Sequence, residues 1–138
     1  MKHLNFLLIT FLLAGFTEVK SQGNTFISDE ETKCTNMKEG KFLRVDTPVT
    51  EWVMVIKDNV QTEYFNDGKD YVRSRLEFVY DCNYRSIVVA KSNEENPVKL
   101  GEVKINKIVA TERNLIKILS ECDHKTTELI LDKVESNN

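Results

Sequence analysis

Apolar and polar side chains alternate with a period of two residues along most of the chain after residue 40. The segment 71–81 shows the pattern clearly, because its apolar bulk falls on one side of the repeat and its arginines fall on the other. Successive side chains of a β-strand point to opposite faces, so this spacing predicts a strand with one buried face. The face that we expect to point inward consists of Ser74, Leu76, Phe78 and Tyr80.

Seven further segments carry alternating or β-forming residues and are separated by short polar stretches. Asp58-Asn59 and Asn66-Asp67-Gly68 are typical of tight turns, since these residue types accept a positive φ. A polar, acidic loop ends at Pro97. Strands are therefore predicted over residues 41–46, 51–57, 60–65, 71–81, 84–90, 99–110, 115–122 and 126–134.

The last two of these segments admit a second interpretation. Leu115, Leu119 and Cys122 also fit one face of a helix. The two-residue spacing of Ile116 and Ile118, repeated at positions 129 and 131, favours strands instead. We therefore predict strands here and keep the helix as the alternative.

About eight strands joined by short links predict an all-β fold built as an antiparallel meander. A meander of this length curls into a barrel or a half-barrel. We expect this domain over residues 40–138, preceded by an N-terminal arm over residues 22–39. Within the arm, the acidic residues 29–31 either open a helical turn towards Met37 or belong to a solvated segment.

The first residues of the chain carry a pattern typical of export. The run from Leu4 to Phe16 has 13 predominantly apolar residues, whereas a membrane-spanning helix needs about 20. The run suits a secretory signal peptide over residues 1–21, with cleavage after Ser21, although a buried N-terminal helix is the alternative. We expect a periplasmic or secreted protein without stable membrane insertion.

The charge of the mature chain gives no reason to expect a nucleic-acid partner. Removal of Lys2, Lys20 and Glu18 with the leader leaves 17 basic and 21 acidic residues. The basic residues are scattered along the chain rather than gathered in a stripe. A chain with this balance has no electrostatic attraction for DNA or for an anionic membrane.

Three cysteines follow the predicted leader, at positions 34, 82 and 122. An oxidising destination converts pairs of cysteines into disulfides, so three residues allow one bridge and one remaining thiol. A bridge between Cys34 and Cys82 would close a loop of roughly 50 residues. The spacing alone leaves the pairing open.

The segments "CTNMKEGKF" (34–42) and "CNY" (82–84), together with Trp52, resemble a group of small exported bacterial proteins. Their pattern is Cys, then Lys-x-Gly-x-Phe, then Trp, then Cys-x-Tyr. The likeness covers most of the mature chain, and its motifs are few and short. The resemblance implies a lipocalin-like antiparallel β fold, no established activity, and a Cys34–Cys82 pair, while Cys122 departs from the pattern. Some relatives carry a DNA topoisomerase IV name, but the short length and acidic charge of this chain do not support topoisomerase activity.

Few residues suggest chemistry. Cys122 and His124 could be zinc ligands, but the chain has no C-x-x-C spacing. They could also form a catalytic pair, but neighbours in sequence need not bring their side chains together. The carboxylates show no sign of converging in a cleft. Arg73 and Arg75 could bind an anion, but alternate arginines more often pair with acids on a neighbouring strand. We expect no catalytic residue, no metal and no cofactor.

Aromatic residues of the central strands are the remaining candidates for a site. They either fill the core or line a cavity that binds a small apolar ligand, since small barrels can do either. The expected function is that of a non-enzymatic ligand carrier; the alternative is a periplasmic or surface protein-interaction module. The candidate lining residues are Trp52, Phe78, Tyr80 and Tyr84.

Overall fold

A computed structural model describes residues 26–134, so the predicted leader and its cleavage site lie outside the described residues. Eight antiparallel strands form a closed barrel in which each strand pairs with the next. A short 3-10 helix, Cys34–Met37, precedes the first strand. The strands are β1 (Gly40–Arg44), β2 (Val53–Lys57), β3 (Val60–Phe65), β4 (Asp70–Tyr80), β5 (Asn83–Lys91), β6 (Val103–Glu112), β7 (Leu115–Cys122) and β8 (Lys125–Val134).

The all-β fold predicted from the sequence is confirmed. Pairing of β1 with β8, from Lys41 opposite Val134 to Arg44 opposite Leu131, closes the barrel and rules out the half-barrel. The last two segments are strands, not helix. The largest difference in a strand boundary is at β6, which begins four residues later than expected because residues 99–102 form a turn.

Two of the hairpins have two-residue loops with left-handed backbones. Asp58 and Asn59 have φ values of 52° and 60°, and Asp123 and His124 have values of 50° and 63°. Positive φ at both central residues is the requirement of a type I′ turn, whose twist matches that of the flanking strands. Asn and Asp tolerate this region better than other non-glycine residues.

Replacing Asn59 by valine should lower the free energy of unfolding by about 1–2 kcal/mol, because a β-branched side chain is strained at positive φ. Asn59→Gly is the matched control and should leave stability unchanged or raise it, since glycine adopts this region freely. Urea unfolding of both variants measures the difference. Equal midpoints for the two variants would contradict the turn assignment.

The two ends of the barrel differ. The loops 45–52, 66–69, 92–102 and 123–124 surround one end, which we call the loop end. The opposite end, which we call the capped end, carries the turns 58–59, 81–82 and 113–114 and is covered by residues 29–39. A disulfide between Cys34 and Cys82 fastens this covering segment to the β4–β5 turn, with the pairing that the resemblance implied.

Hydrogen bonds also hold the covering segment to β6. The backbone N–H of Asp29 donates to the carbonyl of Thr111 at 2.7 Å, and the Thr111 hydroxyl donates to the Asp29 carboxylate at 2.8 Å. The Lys33 N–H donates to the same hydroxyl oxygen at 3.0 Å. Met37 inserts its side chain into the barrel and is almost fully buried. The arm therefore packs on the barrel from Asp29 onward, and its helical turn begins only at Cys34, so the acidic residues 29–31 do not open it.

The apolar core lies between the middle of the barrel and the capped end. Its most deeply buried apolar side chains come from β1, β2, β7 and β8, which are neighbours in the closed barrel, and from the covering segment. They are Met37, Phe42, Ile56, Ile116, Ile118 and Leu131.

The outer face carries the charges that the alternation predicted. Glu77 accepts hydrogen bonds from Arg75 on its own strand, at 2.6 Å, and from Arg85 on β5. The bond from Arg85 is the main reason that the pKa of Glu77 is lowered. Arg73 lies over the ring of Tyr71, with its guanidinium carbon 5.1 Å from the centroid. Arg73 and Arg75 are thus engaged within the sheet, but neither pairs with an acid on a neighbouring strand as predicted, because the acid nearest Arg75 is on its own strand and Arg73 contacts the Thr62 hydroxyl and the Tyr71 ring.

Within residues 26–134, no helix is long and apolar enough to cross a lipid bilayer.

Candidate ligand-binding cavity

A partly enclosed cavity of about 280 Å³ lies inside the barrel, between the core and the loop end. Pockets for small molecules usually measure roughly 300–1,000 Å³, so this cavity is at the small end of the range. At the packing density of protein interiors it would hold a molecule of about 10–15 non-hydrogen atoms. Its size therefore suits a small metabolite rather than a long-chain lipid.

Apolar side chains form most of the wall. Met54, Leu129 and Leu131 come from strands β2 and β8, on one side of the barrel. Trp52, Phe65, Val72, Val88 and Val98 lie towards the loop end, and Val98 belongs to the long β5–β6 loop. This loop is held over the barrel because the Lys91 ammonium donates to the carbonyls of Asn96 and Val98, both at 2.9 Å.

Five polar side chains lie on the inner face of five consecutive strands, β3 to β7, and we call them the polar belt. Two cross-strand pairs, Gln61 opposite Ser74 and Asn106 opposite Ser120, place their members side by side. All five are at least nine-tenths buried and all line the cavity. The members are Gln61, Ser74, Ser86, Asn106 and Ser120.

The polar belt is not what a filled core would contain. Burying a hydroxyl or an amide without a hydrogen bond costs about 1–3 kcal/mol by mutational measurements. Within residues 26–134, every fully enclosed side-chain nitrogen or oxygen has a hydrogen-bond partner. Asn106 donates from Nδ2 to the Ser86 hydroxyl oxygen at 3.3 Å. Belt atoms without such a partner therefore face the cavity, where water or a ligand can bond to them.

Three charged side chains also reach the wall. Glu63 accepts a hydrogen bond from the indole N–H of Trp52 at 3.2 Å. The Arg44 guanidinium lies over the ring of Trp52, 5.9 Å from its centroid, and pairs with Asp46 at 3.3 Å. The third is Lys104, on β6. The cavity thus combines an apolar side, a polar belt and charges of both signs.

Tyr84 lines the cavity near its floor and is nearly fully buried. Burial raises the pKa of Tyr84 well above the ordinary tyrosine value, and the negative charge of Glu63 raises it further. In the unfolded chain this phenol ionises near pH 10. Since the folded state then binds more protons than the unfolded state, Tyr84 should make stability fall as the pH rises above 10.

An alkaline titration followed at 295 nm should therefore show one of the four tyrosines remaining neutral until the protein unfolds. The variant Tyr84→Phe should remove this late step, whereas Tyr80→Phe should keep it. Four tyrosines that ionise together near pH 10 in the folded protein would contradict the buried position of Tyr84.

The four aromatic residues predicted to line a cavity have different positions. Trp52 and Tyr84 do line it. Phe78 stacks on Tyr84 with ring centroids 5.0 Å apart and packs against the core instead. The prediction for Tyr80 is wrong, because its side chain is 75% exposed. The alternation that placed it inward is interrupted by a register shift between Phe78 and Tyr80, where β4 ends.

Sequence reasoning missed the polar belt. Its small side chains occupy inward positions of their strands, as Ser74 does in the segment 71–81, so the signal was present in the alternation. Serine in an otherwise apolar face was not interpreted as a sign of a hollow interior. The positions of Lys104 and Glu63 in the wall likewise depend on strand register, which local sequence patterns do not predict.

Cys122 and His124 lie at the loop end. His124 is an exposed turn residue. The Cys122 thiol donates to the Glu102 carboxylate at 3.0 Å, and this bond, with burial and the nearby negative charges, raises the pKa of Cys122. Glu102, Cys122 and Asp123 have their ligand atoms within 4.8 Å of one another. A thiol held protonated in this way is a poor nucleophile and a poor metal ligand.

No family model, curated protein or solved structure matches this chain.

Proposed function

We propose that this protein is an exported, non-enzymatic β-barrel that binds a small molecule with an apolar body inside the barrel. The observation that supports this most is the cavity of about 280 Å³, which has both an apolar side and buried polar groups turned towards it. Binding sites for small molecules typically combine these two features, apolar surface for affinity and a few polar groups for orientation. The lipocalin-like fold that the family resemblance implies agrees with this function.

The sole tryptophan of the chain provides a direct assay. Trp52 lines the cavity, so its fluorescence should respond when the cavity fills. We expect small apolar compounds of about 10–15 non-hydrogen atoms to change its emission saturably and larger, retinoid-sized compounds to have no such effect. If no compound in a broad panel changes the emission, ligand binding is rejected.

A cavity-filling variant makes the test specific. Ser74→Leu adds side-chain volume inside the cavity and should abolish the fluorescence response. Arg73→Leu is the matched control, since Arg73 is the preceding residue and its side chain is on the outer face. Circular dichroism checks that both variants remain folded. A full response in Ser74→Leu would mean that compounds bind elsewhere.

Export to the periplasm or the medium is the second part of the proposal. The predicted leader and the Cys34–Cys82 disulfide support it, because disulfides persist in oxidising compartments. Expression of the full chain in a bacterium, followed by fractionation and intact-mass measurement, tests it. We expect an oxidised chain that begins at Gln22 outside the cytoplasm. A full-length, reduced chain in the cytoplasm would contradict export.

One observation favours the alternative, a protein-interaction module. Ile87 on β5 pairs with Val103 on β6, and the exposed Val89 and Ile105 each lie two residues further along their own strand, so the outer face of the barrel carries several apolar side chains here. Exposed apolar patches often mark interaction sites. Cross-linking in cells from an engineered residue at position 105 should capture one recurrent protein if this function is the main one, and Val103→Glu should then prevent the capture.

A further inference from the structure

We propose further, building on the proposed function, that the ligand is a small amphiphilic carboxylic acid whose carboxylate binds to Lys104 and the neighbouring polar belt. The apolar body of the acid would lie against the opposite side of the barrel. The inference depends on the charges of the cavity wall and on which of them are already neutralised.

Lys104 is a half-buried cation in the cavity wall that forms no ion pair within the described segment 26–134. The other cation of the wall, Arg44, pairs with Asp46, whereas the Glu63 carboxylate accepts the neutral indole N–H of Trp52 and keeps its negative charge. Glu102 is close enough for the charge of Lys104 to help lower its pKa, although the hydrogen bond from Cys122 lowers it more. Lys104 is therefore the cation left to bind an anion in the cavity.

Hydrogen-bond donors surround the position that a carboxylate would take beside Lys104. Ser86 is the direct cross-strand partner of Lys104, and Asn106 follows it on the same face of β6. Asn106 donates to the oxygen of Ser86, which leaves the hydroxyl proton of Ser86 free to donate onward. Ser120 stands opposite Asn106 on β7. A carboxylate accepts several such bonds, and bonds to an ionised group are the strongest of this kind.

The apolar side of the cavity fits the remainder of such a molecule. Met54 on β2 and Leu129 on β8 line the wall on the side of the barrel away from β5 and β6. Trp52 lies on the same side, towards the loop end. An acid bound by Lys104 would extend its chain or ring across the cavity to these residues. An amine bound in the same orientation would place its positive charge against Lys104, so tight binding of an amine would point to the Glu63 carboxylate of the wall instead.

Three probes that differ only in their head group test the proposal. Heavy-atom quenching of Trp52 reports binding of 8-bromooctanoate, 8-bromooctan-1-ol and 8-bromooctylamine, whose sizes suit the cavity. We expect the acid to bind at least tenfold more tightly than the alcohol and the amine, which corresponds to one charge-assisted hydrogen bond. Equal affinity for the acid and the alcohol, or tighter binding of the amine, would overturn the ligand class while leaving the proposed function standing.

Substitution of Lys104 identifies the group that binds the acid. Lys104→Met keeps the length of the side chain and should reduce the affinity for the acid about tenfold, to that of the alcohol, with the alcohol unaffected. Lys107→Met is the matched control, because Lys107 lies on the exposed face of the same strand. If the methionine variant folds poorly, the affinity for the acid is measured with Lys104→Gln instead. Unchanged affinity for the acid in both variants would overturn the role of Lys104. Failure of all three probes while another compound of the panel changes the emission of Trp52 would overturn the ligand class, whereas failure of the whole panel would reject the proposed function.

Discussion

Replacing Cys34 and Cys82 together by alanine should lower the free energy of unfolding by about 4 kcal/mol. The disulfide links residues separated by 48 positions, and the chain-entropy relation assigns about this value to a loop of that length. The bond also fastens the covering segment to the capped end of the barrel, where Cys34 and Met37 are both buried in the core. Alanine avoids placing a hydroxyl in this apolar environment. Urea unfolding of the oxidised wild type and of the double variant measures the loss.

Cys122→Ala is the control for this experiment. Cys122 forms no disulfide among the described residues, and its side chain lies at the loop end, away from the core. We expect a change below about 1 kcal/mol, as for most substitutions outside the core. If the double variant and the Cys122 variant unfold at the same urea concentration, the disulfide does not hold the cap in the manner described.

The second large effect is expected for Phe42→Ala, which should destabilise the protein by about 3–5 kcal/mol. Phe42 has 0% exposure and lies on β1, the strand that closes the barrel. It stands opposite Met54 on β2 and opposite Lys133 on β8, so a cavity left at this position would weaken both contacts of the closing strand. Thermal or urea unfolding measures the effect.

Tyr80→Ala is the aromatic control for Phe42→Ala. Its ring is largely exposed, so the truncation should change stability by no more than about 0.5 kcal/mol. A loss at Tyr80 as large as that at Phe42 would contradict the exposed position of Tyr80.

The sequence predicted the strands well because burial on one face imposes a period of two. Segments such as 71–81 carry that period over many residues, and turns such as Asp58-Asn59 mark where each strand ends. The errors lie where the period is interrupted. Lys99 and Leu100 continue an alternation in sequence, yet they are the first two residues of a turn that ends at Glu102 and includes Gly101 with a φ of 83°.

The cavity was harder to predict than the strands. An inward serine such as Ser74 is compatible with a packed core, and only the register with Gln61 on the next strand shows that polar groups gather at one level. Register depends on turn lengths and bulges around the whole barrel, and a shift of one residue reverses the face of every side chain in a strand. Closure of β1 on β8 is likewise a long-range pairing that no local pattern specifies.

The most direct test of the account is to locate a bound molecule by nuclear magnetic resonance. The protein, labelled at its methyl groups, would be titrated with octanoate and examined for intermolecular NOEs. Binding inside the barrel predicts NOEs to the methyl groups of Met54, Val88 and Leu129, which line the cavity. NOEs confined to Val103 and Ile105 on the outer face, or no NOEs at saturating octanoate, would contradict it.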